Sequence, residues 1–196
     1  MRLILASSSR NRKKIFDNMG WKYEVITSLV DEESNANTPE QYVMDLSLGK
    51  VNSVADQIDG KALIVGADSV VYLDGKIYEK PKNKEEAFNN IKEMSGKVTH
   101  LTTGMTIKDL YQDKTITFYD VVDVYIKKVD DEDIRWYVEN EENVLTGCGY
   151  CLPGKAELFV DKIDGDFNTL YGISISKVYD KLKELGYSMK DFEMKK

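Results

Sequence analysis

The pattern of apolar and polar positions predicts a chain in which strands and helices alternate. Residues 62–72 form the most hydrophobic stretch, which predicts a central strand that is covered on both faces and carries one acid, Asp68. Near the start of the chain, a short apolar run ends at three serines. A helix is predicted from Ser9 onward, with Ile15, Phe16 and Met19 on its buried side. This alternation indicates an α/β fold with a mixed sheet.

The remaining elements follow the same alternation. Asp74 and Gly75 predict a hairpin turn, and the acids at 130–133 predict the start of a helix. The 196 residues show no repeat, low-complexity tract or linker, so we expect a single domain (1–196), or one domain with two lobes around a cleft. Further strands are predicted over residues 21–27, 76–78, 98–107, 115–127 and 156–163, and further helices over residues 39–58, 83–96 and 176–186.

The charge and hydropathy of the chain exclude several classes of protein. The net charge is −7 and the pI is about 4.9, whereas a general nucleic-acid binder usually carries a positive charge. We therefore expect a small anionic ligand and no stable nucleic-acid partner. No apolar run approaches the roughly 20 residues of a membrane span, and residues 1–6 are too short for a secretory signal. A cytoplasmic protein with no membrane association is expected.

The segment around the first helix has an unusual charge distribution. Acids normally favour the first turn of a helix, because its free N–H groups carry partial positive charge. From residue 2 to residue 16 the chain instead has no acid and five cations, namely Arg2, Arg10, Arg12, Lys13 and Lys14. This pattern favours an anion at the helix start, held by backbone N–H groups, serine hydroxyls and arginine. The alternative is a solvated basic helix face behind an N-cap serine.

Three further charged residues are candidates for a functional site. Lys50 falls on the apolar stripe of the second helix, so its ammonium either reaches the surface or points into a cleft towards a negative partner. Asp68 lies in a buried strand and must be paired, protonated or bound to metal, which makes it a candidate general base or metal ligand. A structural ion pair is the alternative. Lys80 precedes a helix in a loop, where binding residues are common.

Two other segments leave their chemistry open. The acidic residues 31–33 either face solvent or supply carboxylates to a divalent cation such as Mg²⁺. Cys148 and Cys151 form a single C-x-x-C, which cannot complete a four-thiolate zinc site, and a redox pair is the less favoured alternative. The glycine-rich loop that contains them, residues 147–154, is expected to be able to approach a ligand closely.

Several short segments stand in a specific order and spacing that covers nearly the whole chain. They are LASSSRNRKKIF at 5–16, Asp31-Glu32, LGKV at 48–51, GADSVV at 66–71, EKP at 79–81, MSGK at 94–97, Thr103-Gly104 and the run from 147 to 168. Together they resemble the Maf family, the septum-formation inhibitor-like nucleotide pyrophosphatases. The order and spacing of the segments carry the resemblance, and no single segment would be sufficient.

The resemblance implies both a fold and an activity. The implied fold is two-lobed and α/β, like that of inosine triphosphate pyrophosphatase, with the active site in the cleft between the lobes. The implied reaction cleaves a nucleoside triphosphate to the monophosphate and pyrophosphate with a divalent cation, Mg²⁺ or Mn²⁺, as water attacks the α-phosphorus. The implied phosphate-binding residues are Ser7, Ser9, Arg12, Lys50 and Lys80, and the implied metal ligands are Glu32 and Asp68, of which Asp68 also activates the water.

The chain departs from the family pattern at positions that bear on the base. The family usually has Ser-Pro-Arg-Arg where this chain has residues 9–12, so Asn11 replaces one arginine. The usual Asp-Thr is Asp68-Ser69, and Pro153 or Leu152 stands about where an amide or carboxylate is common. We expect Asn11, Ser69 and Pro153 to determine substrate specificity, for a dTTP- or UTP-like or a modified nucleotide.

Three functional hypotheses follow. The favoured one is a metal-dependent nucleoside triphosphate pyrophosphatase whose partner is its nucleotide substrate and which can form a homodimer. The second is a nucleotide-binding regulatory protein of cell division with little or no turnover, favoured by the missing arginine and the altered glycine-rich loop. The third is a protein–protein module of the division machinery, in which Asp68 and Lys80 would have no role.

Overall fold

The computed structural model of the chain describes residues 1–29, 34–192 and 194. Contacts divide the chain into two compact units: Met1–Ser69, Thr103–Asp120 and Tyr171–Lys196 form the first, and Val70–Thr102 and Val121–Leu170 form the second. The strands are β1 (Leu3–Leu5), β2 (Glu24–Val25), β3 (Leu63–Leu73), β4 (Lys76–Tyr78), β5 (Val98–Asp109), β6 (Lys114–Ile126) and β7 (Val160–Asp164). The α-helices are α1 (Arg10–Asn18), α2 (Pro39–Ala55), α3 (Lys84–Met94), α4 (Asp131–Asn140) and α5 (Ile175–Glu184).

The sheet of the first unit contains strands in both relative directions. Its order is β2-β1-β3-β5-β6, and β1 runs parallel to β2 and to β3. β5 runs antiparallel to β3, because Leu110 bonds to Ala62 at one end of the pair while the hydroxyls of Ser69 and Thr103 meet at the other. The mixed α/β architecture that the sequence pattern predicts is therefore confirmed.

Helices cover both faces of this sheet. On one face, α1 and α5 pack side chains such as Phe16 and Val178 against Val65 of β3. On the other face, α2 packs Val51 against Ile64 of the same strand. Successive side chains of β3 therefore enter two separate apolar clusters, as the alternation of a strand requires. The prediction of a central strand covered on both faces is confirmed.

Two glycines allow α2 to lie very close to the sheet. A Cβ atom added to Gly104 would lie 2.3 Å from the carbonyl carbon and oxygen of Val43. A Cβ atom added to Gly66 would lie 2.5 Å from Cγ2 of Val51. Contacts this short would force the helix away from the strands, since packed interiors have no spare room. The close approach brings the side chain of Lys50, on α2, to strand β3.

The glycine-rich loop belongs to the core of the second unit, where α3 and α4 pack together. The side-chain amide of Asn90, on α3, donates to the carbonyl of Cys148 at 3.0 Å. The backbone N–H of Cys151 donates to the hydroxyl of Tyr137, on α4, at 2.9 Å. Gly149 has φ of +118°, and a Cβ there would lie 3.0 Å from the carbonyl oxygen of Ala87. The middle of this loop is thus held inward by both helices.

The predicted strand over residues 21–27 is wrong in extent. Only the exposed pair Glu24–Val25 forms a strand, which pairs with β1 alone. Trp21 is buried outside this strand, where its ring stacks on Phe192 with centroids 4.6 Å apart. The alternation that suggests a longer strand thus includes an aromatic residue that packs against the C-terminal part of the chain.

The predicted strand over residues 156–163 is also partly wrong. Its first half is a 3₁₀ helix, Lys155–Phe159, and only the second half forms β7. The side chain of Glu157 accepts a hydrogen bond from the backbone N–H of Gly154 at 3.0 Å. This contact closes a turn at the start of the segment, and the turn displaces the strand towards the C-terminus.

The helices are of moderate length. α2 has 17 residues and ends at Ala55, three residues before the end predicted for residues 39–58. Over the described part of the chain, no helix combines the length and the apolar character needed to cross a bilayer.

The two glycines under α2 generate a test of the packing. We expect Gly104→Ala to lower the free energy of unfolding by about 3 kcal/mol, because the new methyl group overlaps the backbone of α2. Gly49→Ala is the matched control: no described atom lies within 4 Å of its Cβ position, so it should raise stability by about 0.5–1 kcal/mol. Urea denaturation measures both, and equal stability of the two variants would contradict the packing argument.

Candidate active site

The loop between β1 and α1 forms a cap of serine hydroxyls. Ser9 is the N-cap of α1, and its side chain accepts a hydrogen bond from the backbone N–H of Arg12 at 3.4 Å. The N–H of Ser9 in turn donates to the hydroxyl of Ser7 at 3.2 Å. The first turn of α1 contains no acid. The predicted helix start and the burial of Ile15 and Phe16 are confirmed, but the predicted burial of Met19 is wrong: it is 37% exposed at the C-cap, beyond the last residue of the helix. The positive end of α1 carries hydroxyls and a cation in place of the usual carboxylate.

Arg12 is held by three segments of the first unit. Its Nε donates to the carbonyl of Gly172 at 2.8 Å, Nη1 donates to the hydroxyl of Ser7 at 3.3 Å, and Nη2 donates to the hydroxyl of Ser69 at 3.2 Å. Gly172 has φ of +80°, and a Cβ there would lie 3.1 Å from Nε of Arg12. The planar guanidinium is thus fixed in one orientation at the start of α1, which suits the recognition of an anion.

Lys50 and Asp68 form an ion pair between α2 and β3. The ammonium of Lys50 donates to Oδ1 of Asp68, and each side chain is only 11% exposed. Of the two interpretations left open for Lys50, the one with a buried ammonium that points at a negative partner is therefore confirmed. The structure shows Asp68 paired, so its roles as general base and metal ligand stay predictions.

Arg12 and Lys50 reach strand β3 from opposite faces of the sheet. Asp68 points towards α2, whereas Ser69, the next residue, bonds to Arg12 of α1. Adjacent residues of a strand point to opposite sides. The structure therefore brings Ser7, Ser9, Arg12 and Ser69 into one hydrogen-bond network. The Lys50–Asp68 pair lies one residue before Ser69 on the same strand, on the other face.

The other predicted site residues are not members of this hydrogen-bond network. Asn11 is exposed in the first turn of α1, and Lys80 is exposed in the second unit, immediately before the buried Pro81. Pro153 belongs to the second unit and lines an apolar cavity of about 210 Å³ whose wall includes Phe167. Glu32 lies outside the described residues.

The described residues of the first unit supply only part of the ligand shell of a divalent cation. Among the described residues, no group of three or more His, Cys, Asp or Glu side chains could hold a metal ion. Asp68 offers one carboxylate, next to groups suited to phosphate. Mg²⁺ commonly takes one or two carboxylates and completes its shell with phosphate oxygens and water. The residues fit a cation that arrives with a triphosphate better than one held by the protein alone.

The two cysteines have raised thiol pKa values. Burial raises the pKa of Cys148 to about 12, and burial also raises the pKa of Cys151. Both thiols are free, and the sulfur of Cys151 donates to the carbonyl of Asn143 at 3.0 Å. Since the thiolate is the reactive form, a raised pKa makes both residues poor redox nucleophiles. The less favoured redox alternative gains no support from this environment.

Sequence reasoning missed two groups that hold the site. The carbonyl of Gly172 fixes Arg12 although it lies 160 positions away, and Thr103 bonds to the hydroxyl of Ser69 across 34 positions. Another buried acid of the first unit, Asp120, pairs with Lys177 of α5. Thr103 belongs to one of the short segments that carry the family resemblance, but no local pattern indicates which side chain it contacts.

The chain belongs to the Maf family: the model of the family described as "Maf-like protein" matches residues 2–185. It is 38% identical over 183 residues to a dTTP/UTP pyrophosphatase from Thermoanaerobacter sp. (strain X514), which covers 93% of this chain and 96% of the relative. It is 37% identical over 191 residues to a nucleoside triphosphate pyrophosphatase from a Synechococcus species, which covers 96% of both proteins. The predicted family is therefore confirmed.

Solved structures are matched less closely. The Ham1 protein of Staphylococcus aureus is 14% identical with a TM-score of 0.44, over 65% of this chain and 73% of that one. A dITP/XTP pyrophosphatase from Mycobacterium abscessus is 9% identical with a TM-score of 0.42, over 95% and 99%. The strands and helices of this chain themselves show the mixed α/β architecture.

The buried ion pair generates a prediction on stability. We expect Lys50→Met to lower the free energy of unfolding by about 3 kcal/mol, because Asp68 is then left buried without its partner. Adding Asp68→Asn should recover most of this loss, since the uncompensated charge is removed. The control is Lys76→Met, which breaks an exposed pair with Glu93 and should cost less than about 1 kcal/mol. Similar losses from both lysines in urea denaturation would refute the prediction.

The raised thiol pKa values generate a prediction on reactivity and pH. We expect both cysteines to react slowly with iodoacetamide at pH 8 in the folded protein and rapidly after unfolding in guanidinium. An unfolded thiol loses its proton near about pH 8.5, whereas folded Cys148 keeps its proton to about pH 12. Stability should therefore fall as the pH rises above about 8.5. Fast labelling of the native protein would contradict the assignment.

Proposed function

We propose that this protein hydrolyses a nucleoside triphosphate to the monophosphate and pyrophosphate, with dTTP or UTP as the preferred substrate. The observation that carries the proposal is the fixed guanidinium of Arg12 at the positive end of α1, beside the Lys50–Asp68 pair. Relatives at 38% and 37% identity are named dTTP/UTP pyrophosphatase and nucleoside triphosphate pyrophosphatase. Family and geometry point to the same class of substrate.

The triphosphate would be held by groups that donate hydrogen bonds to it or carry positive charge. Backbone N–H groups at the start of α1, the hydroxyls of Ser7 and Ser9, and Arg12 would bind phosphate oxygens. Lys50 and Lys80 would neutralise the negative charge that grows on the leaving pyrophosphate. These contacts would orient the α-phosphorus for attack in line with the bond that breaks.

Asp68 would act as the general base. Its carboxylate would accept a proton from a water molecule as the water oxygen bonds to the α-phosphorus. The bond between the α-phosphorus and the bridging oxygen would break, and that oxygen would leave as part of pyrophosphate. Lys50, whose ammonium contacts Asp68, would stabilise the negative charge that develops on the phosphate oxygens.

A divalent cation, Mg²⁺ or Mn²⁺, would be held by Asp68 and by Glu32. When bound, it would supply charge neutralisation of the phosphate oxygens and lower the pKa of the attacking water. The single described carboxylate beside the phosphate-binding groups supports this assignment, because such a cation completes its shell with substrate oxygens.

Residues that would discriminate the base are Asn11 and Pro153. Asn11 is exposed at the start of α1, next to the proposed phosphate contacts. Pro153 lines a cavity whose wall is mostly apolar, with Glu157 as its charged member. A surface of this kind provides few hydrogen bonds to a base, so shape and apolar contact would contribute most of the selectivity there.

A panel of nucleoside triphosphates tests the proposal. With Mg²⁺ or Mn²⁺ present, we expect pyrophosphate release to be fastest with dTTP or UTP, and Asp68→Asn to reduce it at least about 100-fold, because the general base is removed. Arg12→Lys should weaken activity strongly, because an ammonium cannot make the three contacts of the guanidinium.

The matched control and the alternative have distinct outcomes. Arg10→Lys, at an exposed position in the same turn, should leave activity within about twofold of the original enzyme, the range expected of an exposed substitution. Tight nucleotide binding with no pyrophosphate from any nucleotide would favour the regulatory alternative and reject the enzyme. Full activity of the Asp68→Asn variant would reject the proposed mechanism.

A further inference from the structure

Two side chains form hydrogen bonds with the hydroxyl group of Ser69. Nη2 of Arg12 lies 3.2 Å from this oxygen, and the hydroxyl of Thr103 lies 2.9 Å from it. Ser69 is part-exposed on β3, whereas Thr103 is fully buried on the neighbouring strand β5. The three side chains therefore form a short chain of hydrogen bonds that runs from the surface side of the site into the sheet.

The hydrogen bond from Arg12 has only one direction. A guanidinium carries N–H donors and no acceptor, so Ser69 must accept from it. One of the two lone pairs on the serine oxygen is therefore used by Arg12. This leaves one lone pair and the hydroxyl hydrogen of Ser69 to be assigned.

The bond to Thr103 can be assigned from burial. Among the described residues, the Thr103 hydroxyl forms a hydrogen bond with Ser69 and with no other group. If Thr103 accepted from Ser69, its own hydroxyl hydrogen would be buried without an acceptor, which costs free energy and is rare in folded proteins. Thr103 therefore donates, and the second lone pair of Ser69 is filled.

The consequence is that Ser69 can only donate. With both lone pairs occupied, its hydroxyl hydrogen must point away from Arg12 and Thr103, towards the part-exposed side. Arg12 likewise presents only N–H groups. Ser69 and Arg12 therefore both offer only hydrogen-bond donors. They can bind an anionic oxygen, but they cannot accept a hydrogen bond from a donor such as a base amine.

We infer that Ser69 donates its hydroxyl hydrogen to a phosphate oxygen of the nucleotide, and that Thr103 is the positioning residue that commits Ser69 to this role. The inference rests on the proposed function and makes it more specific. It changes the role predicted for Ser69: the hydroxyl would recognise the triphosphate, which all nucleotides share, and would contribute little to the choice of base.

The test compares variants in binding and in turnover. The probe is α,β-imido-dUTP, which cannot release pyrophosphate, and its affinity is measured by calorimetry with Mg²⁺ present. We expect Ser69→Ala to weaken binding about 10- to 100-fold, as for the loss of a hydrogen bond to a charged group, and Thr103→Val to weaken it about 10-fold. Thr103→Ser, which keeps the hydroxyl, should restore most of the affinity.

A double-mutant cycle separates positioning from packing. In the Ser69→Ala background, Thr103→Val should have no further effect on affinity, because the group that it orients is already absent. Thr106→Val is the matched control: Thr106 is also buried on β5, but it bonds to Ser47 and Thr117 on the opposite face. It should lower stability without changing the affinity for the analogue.

The outcomes distinguish this inference from the proposed function. Unchanged affinity in Thr103→Val, or equal losses from Thr103→Val with and without Ser69, would overturn the positioning role. A loss from Ser69→Ala that differs strongly between uracil and guanine analogues would overturn the phosphate assignment in favour of base recognition. Binding that follows the expected pattern while no nucleotide yields pyrophosphate would support the inference and reject the enzymatic function.

Discussion

The pairing of Lys50 with Asp68 is the interaction on which the candidate site depends. Both side chains are 11% exposed, so neither charge could stay there without the other. The pair forms because α2 lies close to the sheet. That close approach is possible because Gly66 and Gly104 have no side chain that would clash with the helix. A buried ion pair adds little net stability compared with apolar side chains of similar volume. This agrees with our proposal that the pair serves chemistry at this point of the strand.

At the other face of the sheet, Arg12 is held in a fixed orientation before any ligand binds. A long flexible side chain loses conformational entropy when a ligand fixes it. Here the carbonyl of Gly172 and the hydroxyls of Ser7 and Ser69 fix the guanidinium. The site is therefore organised by contacts among its own residues, and an arriving anion would find the cation already oriented at the end of α1.

The elements that rest on local physics could be predicted from the sequence. The start of α1 at Ser9 and the cap of α3 at Asn83 follow from side-chain bonds to N–H groups three residues away. The long apolar run correctly predicted β3. The predicted strand over 21–27 is shorter than expected because Trp21 packs on a residue near the other end of the chain. The contacts that hold the glycine-rich loop against α3 and α4 could not be predicted from local pattern.

The same division holds for the site. The sequence by itself determined the residue types, their order along the chain, the family, and the presence of cations where a helix begins. Only the tertiary structure decided that Lys50 pairs with Asp68, that Gly172 fixes Arg12, and that Thr103 reaches Ser69. The physical reason is that these partners lie 18 to 160 positions apart, and their contact depends on how strands register and helices pack. Periodicity and capping report only on neighbours a few residues away.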